Sequence, residues 1–348
     1  MWTDSEVWRF AAAVVLALLA AALVRDHTRD RSAWTSVTFI ICVVGHLVFP
    51  LLLRRGAPSL LSQPVLLLGI AAPFAFWLLA QVHFSDDFRL GPVHVVILLA
   101  LVGAGYLSWL VTAEGVLTAG SFAPAYHRFW SLLPRILSLA IVMHALLRVY
   151  VGAGADLLLP RLKARYLLLV VAGTYIVVEL LGEALISGTP AEPLADQVHS
   201  MAVLIVVWAV TLLSLRAAPE ILRPARAALD EPALDPALAE RLRRLIEVDE
   251  AFREEGLTIG SLAERLGGQE YKLRQLINAQ LGFKNFNAFL NRFRVAAAEK
   301  VLADPGKAHL GVAEVAYQVG YRSLGTFNRA FKELTGRTPT DYRTSRKP

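Results

Sequence analysis

The segments Leu262-Ala-Glu-Arg-Leu-Gly267 with Leu273-Arg-Gln-Leu-Ile277, and Val315-Ala-Tyr-Gln-Val-Gly320 with Phe327-Asn-Arg-Ala-Phe331, decide how the last part of this chain folds. In each pair, apolar residues recur at helical spacing on both sides of a glycine. In the first, Leu262, Ala263 and Leu266 turn inward, Gly267 and Gly268 make the turn, and Leu273, Leu276 and Ile277 form the stripe of a second helix that Gly282 ends. The second runs from Val312 to Val319, turns at Gly320, continues as a helix from Ser323 to Leu334 and closes at Gly336. Between them one long helix is predicted from Asn285 to Leu302, carrying Phe286, Phe289, Leu290, Phe293, Ala297 and Val301 inward. The pattern is two helix-turn-helix units joined by a rod.

Charge divides the chain. From Leu257 onward fifteen Lys and Arg stand against seven Asp and Glu, an excess of eight where the whole chain has +6. A small basic domain attracts a polyanion, either nucleic acid or an anionic membrane face. Before Ala218 charges are sparse, and the mean hydropathy of the chain is +0.49 with 55% apolar residues. Cys42 is the only cysteine, which excludes an intrachain disulfide and a Cys-based zinc site.

A membrane-spanning helix needs about 20 mostly apolar residues. Seven stretches qualify before Ala218: 7–24, 36–53, 65–83, 93–111, 132–150, 165–186 and 196–215. Asp4 and Glu6 precede the first, where a signal peptide would carry basic residues, so it reads as a retained helix. An odd count puts the two ends on opposite sides. With the basic end inside, positive residues should mark the inner loops. Arg25, Arg29 and Arg31, then Arg148, Arg161, Lys163 and Arg165, then Arg216 obey this; Arg54 and Arg55 outside, and Asp86 and Asp87 inside, do not.

Glu179 and Glu183 are four residues apart and share one helix face. A charged carboxylate at mid-membrane costs about 2.5–3.5 kcal/mol. That face should therefore point into the bundle, toward water, a ligand or a partner, with His46 and His144 on other spans as candidate companions. The options are a pocket sensing a ligand, proton or cation, interhelical hydrogen bonding, or a two-Glu, two-His zinc site. No metal or cofactor is assigned. Trp77, Trp109, Trp130 and Trp208 read as interface or packing aromatics. The membrane half has no HExxH, Walker-type glycine loop or GxSxG, so no enzyme is expected.

Residues 218–236 form a junction in which Pro219, Pro224, Pro232 and Pro236 prevent one continuous helix. A helix then starts with Asp235 as N-cap and Pro236 at its first position. Leu238, Leu242, Leu245 and Ile246, with Phe252 as a candidate extension, form a stripe that either packs on the following domain or pairs with a second copy.

The residues LAERLG at 262–267, LGFKNFNAFLNRFR at 281–294 and AYQVGYRSLGTFNRAFKELTGRTPTDYR at 316–343 resemble the DNA-binding domain of the AraC/XylS family of bacterial transcription regulators. The likeness spans roughly 238–343, and FSDDFRL at 84–90 is similar to the branch of that family with a multi-span N-terminal domain. The resemblance implies two reader helices entering successive major grooves of double-stranded DNA, about 34 Å apart. It places Tyr271, Arg274 and Gln275, then Gly325, Thr326, Asn328 and Arg329, at base-facing positions. Arg suits guanine, and Gln or Asn suits adenine. Lys272, Arg322, Lys332 and Arg343 are candidate phosphate contacts, which position without specifying. Two departures stand out: Gln269 occupies the usual Ser/Thr cap position, and Gly325 carries no side chain.

The expectation is an all-α chain. Residues 1–217 form a polytopic transmembrane bundle of about seven spans, and residues 237–348 an AraC-type double helix-turn-helix domain. It would sit in the bacterial inner membrane with its C-terminal domain in the cytoplasm. Its partners would be DNA, lipid, a homodimer mate and a small-molecule or ion signal. The competing reading is a membrane transporter or enzyme with a regulatory DNA-binding tail, or a protein-interaction adaptor.

Overall fold

Leucine-rich stretches and small residues dictate long helices in the first half of the chain, and the computed structural model describes residues 4–26, 31–85, 88–113, 123–186, 197, 201 and 236–345. The described residues are helical, without strands. They separate into two units, Met1–Gly152 with Ala164–Ala218, and Ala153–Lys163 with Pro219–Pro348.

The first unit contains α1 (Asp4–Asp26), α2 (Arg31–Arg54), α3 (Ser59–Phe84), α4 (Pro92–Ala113), α5 (Ala123–Ala153) and α6 (Leu159–Ile186). Helices α5 and α6 each run across the boundary between the units. Among the described residues five helical stretches are long and apolar enough to cross a membrane: Ser5–Arg25, Ser32–Arg54, Ser59–Phe84, Pro92–Val111 and Leu132–Ala153. These coincide with the first five predicted spans. The sixth falls on α6, which is not among the five, and the seventh, at 196–215, lies outside the described residues, as do 218–235 of the junction.

Helices α1 and α2 join through Ala12, Leu16, Ile40 and Leu47. Helices α2 and α3 meet backbone to backbone: a Cβ on Gly45 would come 2.7 Å from the Leu68 Cβ and 3.0 Å from the Val65 carbonyl oxygen. Small residues permit this approach between apolar helices, where packing rather than water exclusion supplies the attraction. Phe74, Trp77 and Ala80 of α3, Leu101 of α4, and Ala145, Leu146 and Val149 of α5 form a second cluster. The outer surfaces stay apolar, with Leu60 84% and Leu99 65% exposed. Arg165 is a charged residue held inside: it is buried, donates to the Val149 carbonyl at 3.0 Å and the Phe84 carbonyl at 2.5 Å, and lies over the Phe84 ring. Its rigid fork of donors takes up carbonyls at the ends of α3 and α5.

The second unit has one core. Helix α7 (Pro236–Glu247) buries Leu238, Leu242 and Ile246 in it, so this stripe is used within the unit rather than left open for a second copy. Helices α8 (Ile259–Arg265) and α9 (Glu270–Gln275, extended by a π-helical stretch Leu276–Gln280) form the first pair. Helix α10 (Phe286–Ala303) is the rod. Helices α11 (Val312–Gln318) and α12 (Leu324–Thr335) form the second pair, and α13 (Pro339–Thr344) closes the chain. Thr258 and Ser261 form a reciprocal capping box on α8; Asn285, Ser323 and Thr338 cap α10, α12 and α13. Gln269 makes no side-chain cap on α9, as its identity suggested. Gly320 turns the second pair at φ 94°, and a Cβ there would lie 2.6 Å from the Arg253 carbonyl oxygen, so the turn excludes any side chain.

Candidate nucleic-acid interface

The second helix pair presents a sorted surface. Helix α12 buries Phe327, Ala330 and Phe331 and exposes Gly325, Thr326, Asn328, Arg329 and Lys332. The sorting follows from helical periodicity, since residues three and four apart share a face. Phe327 packs on Tyr321 and Phe331, and Phe331 on Tyr342, so aromatic contacts on both sides hold the inner face. Ser323 accepts from the Thr326 amide at 3.3 Å and its hydroxyl meets that of Thr326 at 2.9 Å, fixing the helix start. Arg322 is exposed just before α12, 3.3 Å from an equally exposed Glu255. In water such a pair contributes little, so the guanidinium stays available to a stronger anion.

Arg343 differs from a free surface cation. It is half-buried on α13, and its Nε and Nη2 are shielded without an acceptor among the described residues.

The rod is tied to its surroundings by polar contacts. Arg294 donates to the Phe252 carbonyl at 2.7 Å and the Glu254 carbonyl at 2.9 Å, and burial lowers its pKa. Tyr321 donates to Asn291 Oδ1 at 3.0 Å, with Arg294 over its ring. Burial pushes the Tyr321 phenol up to about 12, against the opposing pull of Arg294. Arg265 pairs with Glu254 in two hydrogen bonds, and this hydrogen bonding holds that carboxyl below its ordinary range.

The first helix pair departs from expectation at one residue. Tyr271 and Lys272 are exposed and Gln275 is half-buried, but Arg274 is only 5% exposed. Its guanidinium donates to the backbone carbonyls of Asp156 and Gly154 and to the Glu270 carboxylate on its own helix. The covering segment belongs to this unit. The Phe286 amide donates to the Ala155 carbonyl at 2.8 Å and the Leu157 amide to the Lys284 carbonyl at 3.2 Å, so Asp156 and Asn285 pair as an isolated antiparallel bridge. Leu157 joins the core at 2% exposure. Buried Asp156 is held by Arg161 at 3.3 Å and accepts from the Leu158 amide at 3.1 Å. Sequence reading missed this segment. Its contacts are mostly main-chain, and main-chain contacts leave no residue signature.

Of the proposed sensory residues, His144 accepts from the Trp77 indole N–H at 2.9 Å, with the two rings stacked 6.2 Å apart. His94 lies 5.2 Å from the same indole. His46 is exposed on α2, where its backbone abuts Gly69. The side chains of Glu179 and Glu183 lie outside the described residues. Among the described residues no group of three or more His, Cys, Asp or Glu could hold a metal ion.

Residues 262–345 match the family described as "Helix-turn-helix domain". Proteins named uncharacterized HTH-type transcriptional regulators from Staphylococcus aureus strains COL and MRSA252 are 29% identical over 107 residues, covering 31% of this chain and 14% of theirs. The chain thus aligns with about a seventh of the length of these relatives. A solved protein of unknown function from Listeria innocua aligns over 34% of this chain and 100% of its own at 27% identity, with a TM-score of 0.27. The C-terminal unit carries a helix-turn-helix domain, and the chain shares it with proteins named as transcriptional regulators.

Proposed function

We propose that the chain is a membrane-embedded, non-catalytic transcription regulator whose two helix-turn-helix units bind double-stranded DNA. The apolar helices hold it in the bacterial inner membrane with the basic unit in the cytoplasm, and a small-molecule or ion signal in or at the membrane shifts its affinity for a promoter. The observation that carries the reading is the outer face of α12, where Thr326, Asn328, Arg329 and Lys332 stand exposed over a fully buried aromatic face. That is the chemistry a major groove accepts: Arg for guanine, Asn for adenine, and Lys for phosphate. The apolar exterior of α1–α5 supports the membrane assignment, because a water-soluble surface rarely carries continuous apolar area of this kind.

The test is gel retardation by the full chain in detergent micelles at several salt concentrations. Binding should fall steeply as salt rises, by about one power of the salt concentration for each phosphate neutralised. A chain that retards no duplex at low salt refutes the reading and leaves the adaptor in its place. Uptake of radiolabelled solutes by vesicles containing the full chain would instead favour the transporter.

A further inference from the structure

Arg274 sits where the resemblance puts a base-reading side chain, yet each nitrogen of its fork donates to the protein. The Gly154 and Asp156 carbonyls and the Glu270 carboxylate take the donors that a guanine edge would need. The covering segment is built rather than incidental. It makes two backbone hydrogen bonds to 284–286, buries Leu157 in the core, and has its own turn held by Asp156 to Leu158 and Arg161. Its ends run directly into α5, which ends at Ala153, and α6, which begins at Leu159.

We propose that residues 154–157 are a built-in competitor for the first reader helix. DNA and this segment use the same guanidinium, and they exclude one another. With the segment seated, only α12 reads bases. With it withdrawn, Arg274 is freed and both units engage. Because the segment is the link between α5 and α6, any rearrangement of those two helices that stretches it would pull it off α9. A signal with different affinity for the two arrangements would then set the seated fraction. This rests on the DNA-binding reading above.

The experiment uses two full-length variants in detergent, both with Cys42→Ala. In the locked variant, Asp156→Cys is combined with Asn285→Cys. Opposed residues in an antiparallel bridge have Cα atoms about 4.5–5.5 Å apart, within the roughly 4.4–6.8 Å that a disulfide spans. In the released variant, Leu157→Asp puts a carboxylate where the core now holds a leucine, and so evicts the segment. Each is used to select binders from a pool of random-sequence duplexes. The released chain should enrich two sequence elements about one helical turn apart, and the oxidised locked chain only the element read by α12. The locked chain should bind the two-element duplex about tenfold more weakly. Enrichment of the α12 element by both variants serves as the internal check that the unit is folded.

Two-element selection by the locked chain overturns the proposal, as does one-element selection by both variants. Failure of the two thiols to pair would show that the bridge is absent and would also overturn it. In each of these cases the DNA-binding reading still stands. If neither variant selects any sequence, the DNA-binding reading falls and takes the competitor with it.

Discussion

The guanidinium of Arg274 donates to the backbone carbonyl of Asp156, a residue 118 positions earlier in the chain. The contact joins α9 to the segment between α5 and α6, and it is buried at both ends, with Asp156 2% and Arg274 5% exposed. A buried carbonyl that loses its donor costs about 1–3 kcal/mol. Arg274→Ala should therefore loosen the segment it holds, although it leaves the two backbone bonds of the bridge in place. Hydrogen exchange resolves this. The Leu157 and Phe286 amides, which make those bonds, should exchange about tenfold faster or more in the variant. Amides of α12 should be unchanged. Equal protection in both proteins would show that Arg274 does not stabilise the segment.

On α12, two exposed cations should behave differently under the proposed DNA-binding function. Arg329→Ala removes a base-edge donor and should cost about 1–3 kcal/mol on the preferred duplex while relaxing preference at one position. Lys332→Ala removes a point charge one turn further along the helix. It should weaken all duplexes alike and lower the salt slope by about 1. Competition binding against scrambled duplexes separates the two, and identical behaviour of the variants would refute the division of roles.

The second unit could be read in the sequence because its signals are local. Gly320, Phe327, Phe331 and Gly336 mark a turn, two core positions and a helix end within a few residues, and the structure puts each in that role. The stripe Leu238, Leu242 and Ile246 was equally visible as a stripe, but periodicity alone does not say what covers it; the core of the same unit does. Arg274 shows where local reading stops. The resemblance marked it as base-facing, yet it is buried. What buries it is main chain from the far side of the sequence, and carbonyl oxygens belong to every residue type. The close approach of Gly45 to Leu68 was likewise not marked in advance, since glycines in apolar helices are common and only the pairing of α2 with α3 gives this one a task.

Two glycines five residues apart should respond in opposite directions to alanine. Gly320 has φ 94° and no room, with the Arg253 and Phe252 carbonyl oxygens 2.6 and 2.9 Å from where a Cβ would stand. Gly320→Ala should destabilise the unit by about 2 kcal/mol or more, because the strained backbone and the clash add. Gly325 lies in the first turn of α12 with nothing within 4 Å of its would-be Cβ. Gly325→Ala should stabilise by roughly 0.5–1 kcal/mol through helix propensity alone. Denaturant unfolding followed by the far-ultraviolet signal of the helices reads both. A stabilising Gly320→Ala would mean that the turn is not as described.

Tyr321 makes the unit sensitive to alkali. Its phenol is buried, donates to Asn291 and has its pKa pushed up to about 12 by burial, whereas in the unfolded chain it ionises near 10. A group whose folded pKa is raised contributes stability in full below the unfolded pKa and loses it as pH climbs through the folded one. The loss should therefore begin near pH 10 and be complete near pH 12, amounting to about 2–3 kcal/mol from this group. Tyr321→Phe cannot ionise. It should be less stable than the parent at pH 8 by about 1 kcal/mol, the net value of the lost hydrogen bond, and should lose less stability between pH 10 and 12. The two denaturation midpoints plotted against pH should thus converge or cross in that window. Parallel curves would mean that the phenol is hydrated in the folded state. They would also break the link from Asn291 on the rod to the turn that precedes α12.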